Sequence, residues 1–119
     1  MKIASVVNIL KKEKNVLAVY IFGSRVSGKI TPLSDVDVCV IGDITGKDQI
    51  EIASKFSEEF DISFFSSLPI WIKMNVIKNG ECLFAKNEKA LNLIKLFTLN
   101  EYLDFKPVIE DVIKMELSA

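Results

Sequence analysis

Two apolar, β-rich runs on either side of a short polar segment constrain the fold of this chain more than any other feature. The first run, Val16 to Phe22, has no polar interruption, which is typical of a strand that is buried on both faces. The second follows Asp35 and continues through β-branched residues to Ile41. The sequence therefore predicts two strands, the first ending at Gly23 and the second beginning at Asp35.

The polar segment begins with a pattern that is suited to binding phosphate. Ser24 can cap a short helical turn directly after the first strand, and the free N–H groups of such a turn bind anions. We expect Ser24, helped by the backbone amides of Gly23 and Arg25, to hold phosphate groups. A Gly-Ser turn after a strand is also common where no ligand binds.

Three carboxylates form the candidate metal site. Asp35 and Asp37 lie two residues apart at the start of the second strand, so their side chains share one face. Neighbouring carboxylates repel each other unless a cation lies between them, and a hard divalent cation prefers oxygen ligands. Asp61 begins a third predicted strand and is the candidate for a third ligand and for the proton acceptor. Solvated acids at strand ends remain the alternative interpretation.

The spacing of these residues resembles a known signature. Gly23-Ser24, ten further residues and then Asp35-Val36-Asp37 are similar to the motif of the minimal nucleotidyltransferases, small members of the polymerase-β superfamily. The resemblance continues through 68–86 and around 101–104, and so covers nearly the whole chain. It implies a polymerase-β-like fold and the transfer of AMP from ATP, assisted by two Mg²⁺ ions.

The resemblance also implies a partner. Many relatives are antitoxins of HEPN-domain ribonucleases and inactivate them by adding AMP to a tyrosine hydroxyl. Two other functions stay open: an antitoxin that masks a ribonuclease without catalysis, and nucleotidyl transfer to a small molecule such as an aminoglycoside.

Composition narrows the class of protein. The chain has 119 residues and a net charge of -1, so we expect one domain over 1–119 and no field that would hold a long nucleic acid. It has no histidine, which leaves acid–base chemistry to carboxylates, Lys, Tyr or water. No apolar run is long enough to span a membrane and no signal peptide is evident, so we expect a cytoplasmic protein. Cys39 and Cys82 are predicted to be small buried hydrophobes.

The remaining pattern predicts an α+β domain, a mixed β-sheet covered by helices on one side. Helices are expected over 3–10, after Thr45, after Leu68-Pro69 and after Asn87, with a strand over 82–85. The helix after Thr45 is predicted to bury one side, which carries Ile52, Phe56 and Phe60. Pro107 is expected to interrupt the last helical region, whose apolar content fits either a core helix or a surface for homo- or hetero-oligomers.

Overall fold

The computed structural model describes residues 2–22 and 36–118. Within these residues the elements follow in the order α1 (Ile3–Lys11), β1 (Val16–Phe22), β2 (Val36–Gly42), α2 (Gly46–Ala53), β3 (Phe60–Phe64), a short 3₁₀ turn (Phe65–Ser67), α3 (Ile70–Asn79), β4 (Glu81–Ala85) and α4 (Glu88–Ser118). The strands form one sheet in the order β3-β2-β1-β4. β1 is antiparallel to β2 and β4, whereas β2 and β3 are parallel. This confirms the predicted α+β class and mixed sheet.

The sheet separates two apolar clusters because successive strand residues point to opposite faces. On one face, Val19 and Val38 pack with Val6 of α1 and Ile52 of α2. On the other, residues that include Cys39 pack against α3 and α4 through Val76, Leu91 and Ile94. Helices therefore cover both faces, and the expectation of helices on one side was wrong. The face that a crossing helix covers depends on the direction of its connection, which the apolar pattern does not encode.

α2 begins where its cap was predicted but ends earlier. The Thr45 hydroxyl accepts a hydrogen bond from the Asp48 backbone N–H at 3.4 Å. The helix ends at Ala53, so Phe56 lies after it and Phe60 begins β3. Both phenylalanines still join the same apolar cluster as Ile52. Their spacing thus identified buried positions correctly but assigned them to the wrong element.

Gly80 joins α3 to β4 where only a glycine fits. It is the C-cap of α3 and has extended backbone angles, φ -76° and ψ 162°. A Cβ at this position would collide with the Val76 carbonyl oxygen and would lie 3.1 Å from the Ile21 carbonyl oxygen. The missing side chain lets the end of α3 pack directly on the end of β1.

α4 is a single helix through Pro107, so the predicted interruption was wrong. The Asn87 side chain accepts a hydrogen bond from the Ala90 N–H at 3.1 Å and caps the first turn, as predicted. Pro107 removes one N–H donor, whose acceptor four residues earlier would be Leu103. Both residues are exposed, so water can reach the Leu103 carbonyl. No helix within the described residues is both long and apolar enough to span a membrane.

The two cysteines differ in environment. Cys39 is fully buried in the sheet, and burial raises the pKa of its thiol to about 12. Cys82 is exposed, which corrects the prediction that both were buried. Cys82 lies in β4, an outer strand that pairs only with β1 among the strands of the described residues.

Candidate active site

Asp37 and Asp61 lie directly opposite each other on the parallel strands β2 and β3. Paired positions on neighbouring strands are about 4.8 Å apart and point to the same face. The Asp37 side chain is half-buried and that of Asp61 is exposed. The sequence-based expectation that Asp61 would lie on a strand beside the other carboxylates depended on the strand register, and this register brings two of the three candidate carboxylates together.

The pair lies at the end of the sheet where β2 and β3 begin, here called the carboxylate edge. β2 begins at Val36 and β3 at Phe60, while the antiparallel β1 ends at Phe22, which pairs with Asp37 on its other side. Phe22 and Val36, the described residues on either side of 23–35, therefore both lie next to Asp37. Asp35, Gly23, Ser24 and Arg25 lie outside the described residues, as does the rest of 23–35.

The face that carries the two carboxylates is the one covered by α3 and α4. Asp37, Cys39 and Ile41 are every second residue of β2, so they point to the same face of the sheet. Cys39 and Ile41 belong to the cluster that includes Val76 of α3 and Leu91 of α4. Ser63 follows Asp61 on the same face of β3. On β2 the carboxylate thus gives way to a closed apolar core within two residues, whereas β3 remains polar as far as Ser63. The two carboxylates therefore lie where the strands begin, and solvent can reach them.

Two further residues on this face were not among the predicted site residues. Tyr20 of β1 is buried on the same face, and the Lys95 ammonium of α4 lies 6.0 Å from the centre of its ring. Burial raises the pKa of the Tyr20 hydroxyl, and the interaction with Lys95 opposes that rise. Lys95 places a half-buried positive charge on the sheet face that carries the carboxylates. Its one sequence signal is its place beside Leu91, Ile94 and Thr98, on the inward side of an amphipathic helix.

The donor set fits a hard cation. The two described carboxylates supply oxygen ligands, which Mg²⁺ prefers, and the chain has no histidine that would favour a softer metal. Among residues 2–22 and 36–118, no group of three or more acidic, His or Cys side chains could hold a metal ion. A complete ligand set at this edge would therefore need Asp35, water or the phosphates of a nucleotide in addition to the pair.

A cavity of about 210 Å³ lies elsewhere, between the turn after α1 and helix α2. Its lining includes Glu13, Asp48 and Glu51, and none of the predicted site residues. It lies on the opposite sheet face from the carboxylate pair, because α1 and α2 pack on that face.

A family model described as polymerase beta, nucleotidyltransferase, matches residues 4–89. The match runs from α1 to the first residues of α4 and includes both described carboxylates. The chain belongs to the polymerase beta nucleotidyltransferase family. This confirms the resemblance stated from the spacing of the glycine, serine and aspartates, and it makes the chain a member of an enzyme family.

A relative of this nucleotidyltransferase family member is MJ1547 of Methanocaldococcus jannaschii, which is named as a candidate protein adenylyltransferase. The two sequences are 35% identical over 69 residues, which are 58% of this chain and 56% of the relative. The match thus spans little more than half the length of either protein.

Solved structures share the fold of this nucleotidyltransferase family member. A crystal structure of a toxin–antitoxin with AMP-PNP matches with a TM-score of 0.66 and 19% identity, over 93% of this chain and 95% of that chain. A chain in the complex of a tri-AMPylated Shewanella oneidensis HEPN toxin with its MNT antitoxin has a TM-score of 0.64 and 18% identity, with coverage of 92% and 94%. A candidate nucleotidyltransferase from Sulfolobus solfataricus matches with a TM-score of 0.51 and 23% identity, over 69% of this chain and 76% of that chain.

Proposed function

We propose that this chain transfers AMP from ATP to a hydroxyl group of a partner protein, with Mg²⁺ as the cofactor. The observation that carries the proposal is the direct pairing of Asp37 with Asp61 at the edge where β1 ends and β2 begins. Gly23, Ser24, Arg25 and Asp35 belong to the segment that joins those two strand ends in the sequence. Membership of the nucleotidyltransferase family supports the same reaction class.

Each residue has a defined role in this reaction. The acceptor oxygen forms a bond to the α-phosphorus of ATP, the bond between that phosphorus and the pyrophosphate oxygen breaks, and Asp61 accepts the proton of the hydroxyl. Asp35 and Asp37, with Asp61, would hold the divalent cations. Mg²⁺ held by these carboxylates would supply positive charge to the triphosphate. Ser24, with the amides of Gly23 and Arg25, would hold the β- and γ-phosphates.

We propose a tyrosine of a HEPN-type toxin as the acceptor, so that the chain acts as its antitoxin in the cytoplasm. Two similar proteins support this choice: MJ1547, which is named as a candidate protein adenylyltransferase, and the MNT antitoxin in the complex with a tri-AMPylated HEPN toxin. Leu93, Leu96 and Phe97 on α4 are exposed, at 55%, 52% and 68%. Exposed apolar side chains at this spacing fit a helix face that contacts another protein chain, in a homo- or hetero-oligomer.

The test follows the fate of labelled phosphate. The purified chain is incubated with Mg²⁺ and a candidate HEPN partner, with ATP labelled at either the α- or the γ-phosphate. We expect α-label on the partner and no γ-label, and no label on a partner whose acceptor tyrosine is replaced by phenylalanine. Label from the γ-position would make the chain a kinase instead, and label that is independent of tyrosine would exclude this acceptor.

A second candidate function is binding without catalysis, in which the chain masks a ribonuclease. The exposed apolar residues of α4 favour it, because such a surface binds a partner whether or not transfer occurs. A complex that forms and inhibits the partner while no label from ATP appears would favour this function over transfer.

A further inference from the structure

A groove of about 520 Å³ lies between the start of α3 and the middle of α4. Its lining is mostly apolar, with Leu68, Pro69, Trp71 and Phe105, here called its base. It also includes two carboxylates, Glu101 and Asp104, here called its rim. α3 ends at Gly80 beside Ile21, near the carboxylate edge of the sheet, whereas the groove lies at the first turn of α3. The groove is therefore separate from the Asp37–Asp61 pair.

The base of the groove is an exposed aromatic surface. The Trp71 and Phe105 rings are stacked with 6.3 Å between their centres and 22° between their planes. Trp71 is nevertheless 54% exposed and Phe105 is 37% exposed. Phe97, one turn before Glu101 on α4, is 68% exposed. Aromatic rings that are fixed by a neighbour and open to solvent bind apolar and cationic groups at low entropic cost.

The rim of the groove carries two negative charges and no positive charge. Glu101 and Asp104 are three residues apart on α4, so they lie on the same side of the helix. In the part of the chain that the structure describes, neither carboxylate takes part in an ion pair. The nearest lysines on the same helices point to other groups: Lys106 pairs with Glu110 at 4.0 Å, and Lys73 lies over the Phe65 ring.

We propose that this groove docks a segment of a partner protein that presents an arginine between apolar side chains. The guanidinium group would lie over Trp71 and donate hydrogen bonds to Glu101 and Asp104, while its apolar neighbours contact Leu68 and Phe105. Arginine fits better than lysine because its planar group stacks on aromatic rings, is weakly hydrated and donates to two carboxylates at once. Nucleic acids and anionic lipid surfaces do not fit, because the two carboxylates would repel phosphate.

The groove would position a partner on α3 and α4, and this use of the site rests on the proposed function. The binding of an arginine-bearing segment does not, since it requires neither ATP nor Mg²⁺. A failure of AMP transfer and a failure of docking are therefore separate results.

Trp71 makes the test direct because it is the chain's one tryptophan. The full chain is titrated with a blocked helical peptide in which two arginines are flanked by leucines, and tryptophan fluorescence is recorded. Matched peptides carry citrulline, lysine or glutamate at the arginine positions. We expect a saturable shift of the emission to shorter wavelength with the arginine peptide, about tenfold weaker binding with citrulline, intermediate binding with lysine and none with glutamate.

Variants locate the binding. Glu101→Gln combined with Asp104→Asn removes both rim charges but keeps the size of each side chain, and we expect it to weaken arginine-peptide binding about tenfold. The matched control, Glu110→Gln with Asp111→Asn, makes the same charge change on exposed positions of the same helix and should bind as the wild type does. Equal binding of the arginine and citrulline peptides, or an unchanged affinity in the rim variant, would overturn the proposal.

A second copy of this chain is the competing occupant. Its single arginine is Arg25, so a second copy could present an arginine to the groove only through that residue, and would otherwise have to use a more weakly bound lysine. Sedimentation of the free chain over a range of concentrations measures this. A monomer at the peptide-titration concentrations supports a foreign partner, and a dimer that Glu101→Gln with Asp104→Asn dissociates would replace it with self-association.

Discussion

Substitution of one carboxylate, Asp37 or Asp61, tests whether the pair is catalytic or only an acidic surface. Asp37→Asn and Asp61→Asn each remove one negative charge and keep the side-chain shape, and we expect either variant to lower the rate of AMP transfer by at least about 100-fold, or about 2.7 kcal/mol. Asp43→Asn is the matched control, because Asp43 is exposed and follows the opposite end of β2. Rates from α-labelled ATP and melting curves measure activity and folding together. Full activity in Asp37→Asn would exclude its role in metal binding.

The buried thiol of Cys39 gives the fold an alkaline limit. Burial raises its pKa from 9.0 to about 12, so the unfolded chain ionises at lower pH than the folded chain. The protonated Cys39 thiol therefore makes its full contribution to the free energy of unfolding below pH 9.0. That contribution is lost as the pH rises toward about 12, at up to about 1.4 kcal/mol per pH unit. Urea unfolding between pH 8 and pH 11 should show a shallower decline in Cys39→Ala than in wild type. Cys82→Ala, at an exposed thiol, should decline as steeply as wild type.

At the scale of elements, the contact between the end of α3 and β1 depends on Gly80. Gly80→Ala introduces a Cβ against the Val76 and Ile21 carbonyl oxygens, so the backbone must shift and the free energy of unfolding should fall by about 1–3 kcal/mol. Gly46→Ala is the control, since nothing lies within 4 Å of its Cβ position and alanine favours the first turn of α2. Thermal melts should separate the two variants in opposite directions. Equal melting temperatures would contradict the tight packing at Gly80.

The elements also show what a sequence can predict. Caps such as Thr45 and Asn87 were found because their chemistry is local: each side chain bonds the backbone three residues on. Phe56 and Phe60 were misplaced because helical spacing from Ile52 marks burial in a common cluster and not continuity of one helix. Pro107 was expected to break α4, yet exposed helix tolerates the lost donor.

In the candidate site, too, the positions set by local sequence could be predicted and those set by long-range packing could not. Asp37 and its strand follow from local alternation and from the Gly23-Ser24 spacing. The position of Asp61 depended on register across two strands, and parallel pairing, with α2 as the crossover, brought it opposite Asp37. The groove at Trp71 depends on how α4 crosses α3, which the sequence pattern does not encode, and for Lys95 the helical spacing indicates an inward position but not the contact with Tyr20.

For the whole molecule, the account predicts coupled binding of metal and nucleotide. Mg²⁺ held by the carboxylates would also bind the triphosphate, so Mg²⁺ and ATP together should raise the melting temperature more than the sum of their separate effects. The synergy should vanish in Asp37→Asn and persist in Asp43→Asn. Thermal unfolding with each ligand alone and with both measures it, and additive shifts in the wild type would argue against a shared site.

The most direct test of the central claim is the position of the metal itself. Crystals grown with Mn²⁺ and a non-hydrolysable ATP analogue would be measured at the manganese absorption edge, where the ion gives an anomalous peak. The account predicts a peak within direct bonding distance of an Asp37 carboxylate oxygen, on the sheet face shared with Asp61, with the triphosphate bound to it. Manganese and triphosphate bound away from both carboxylates would contradict the account.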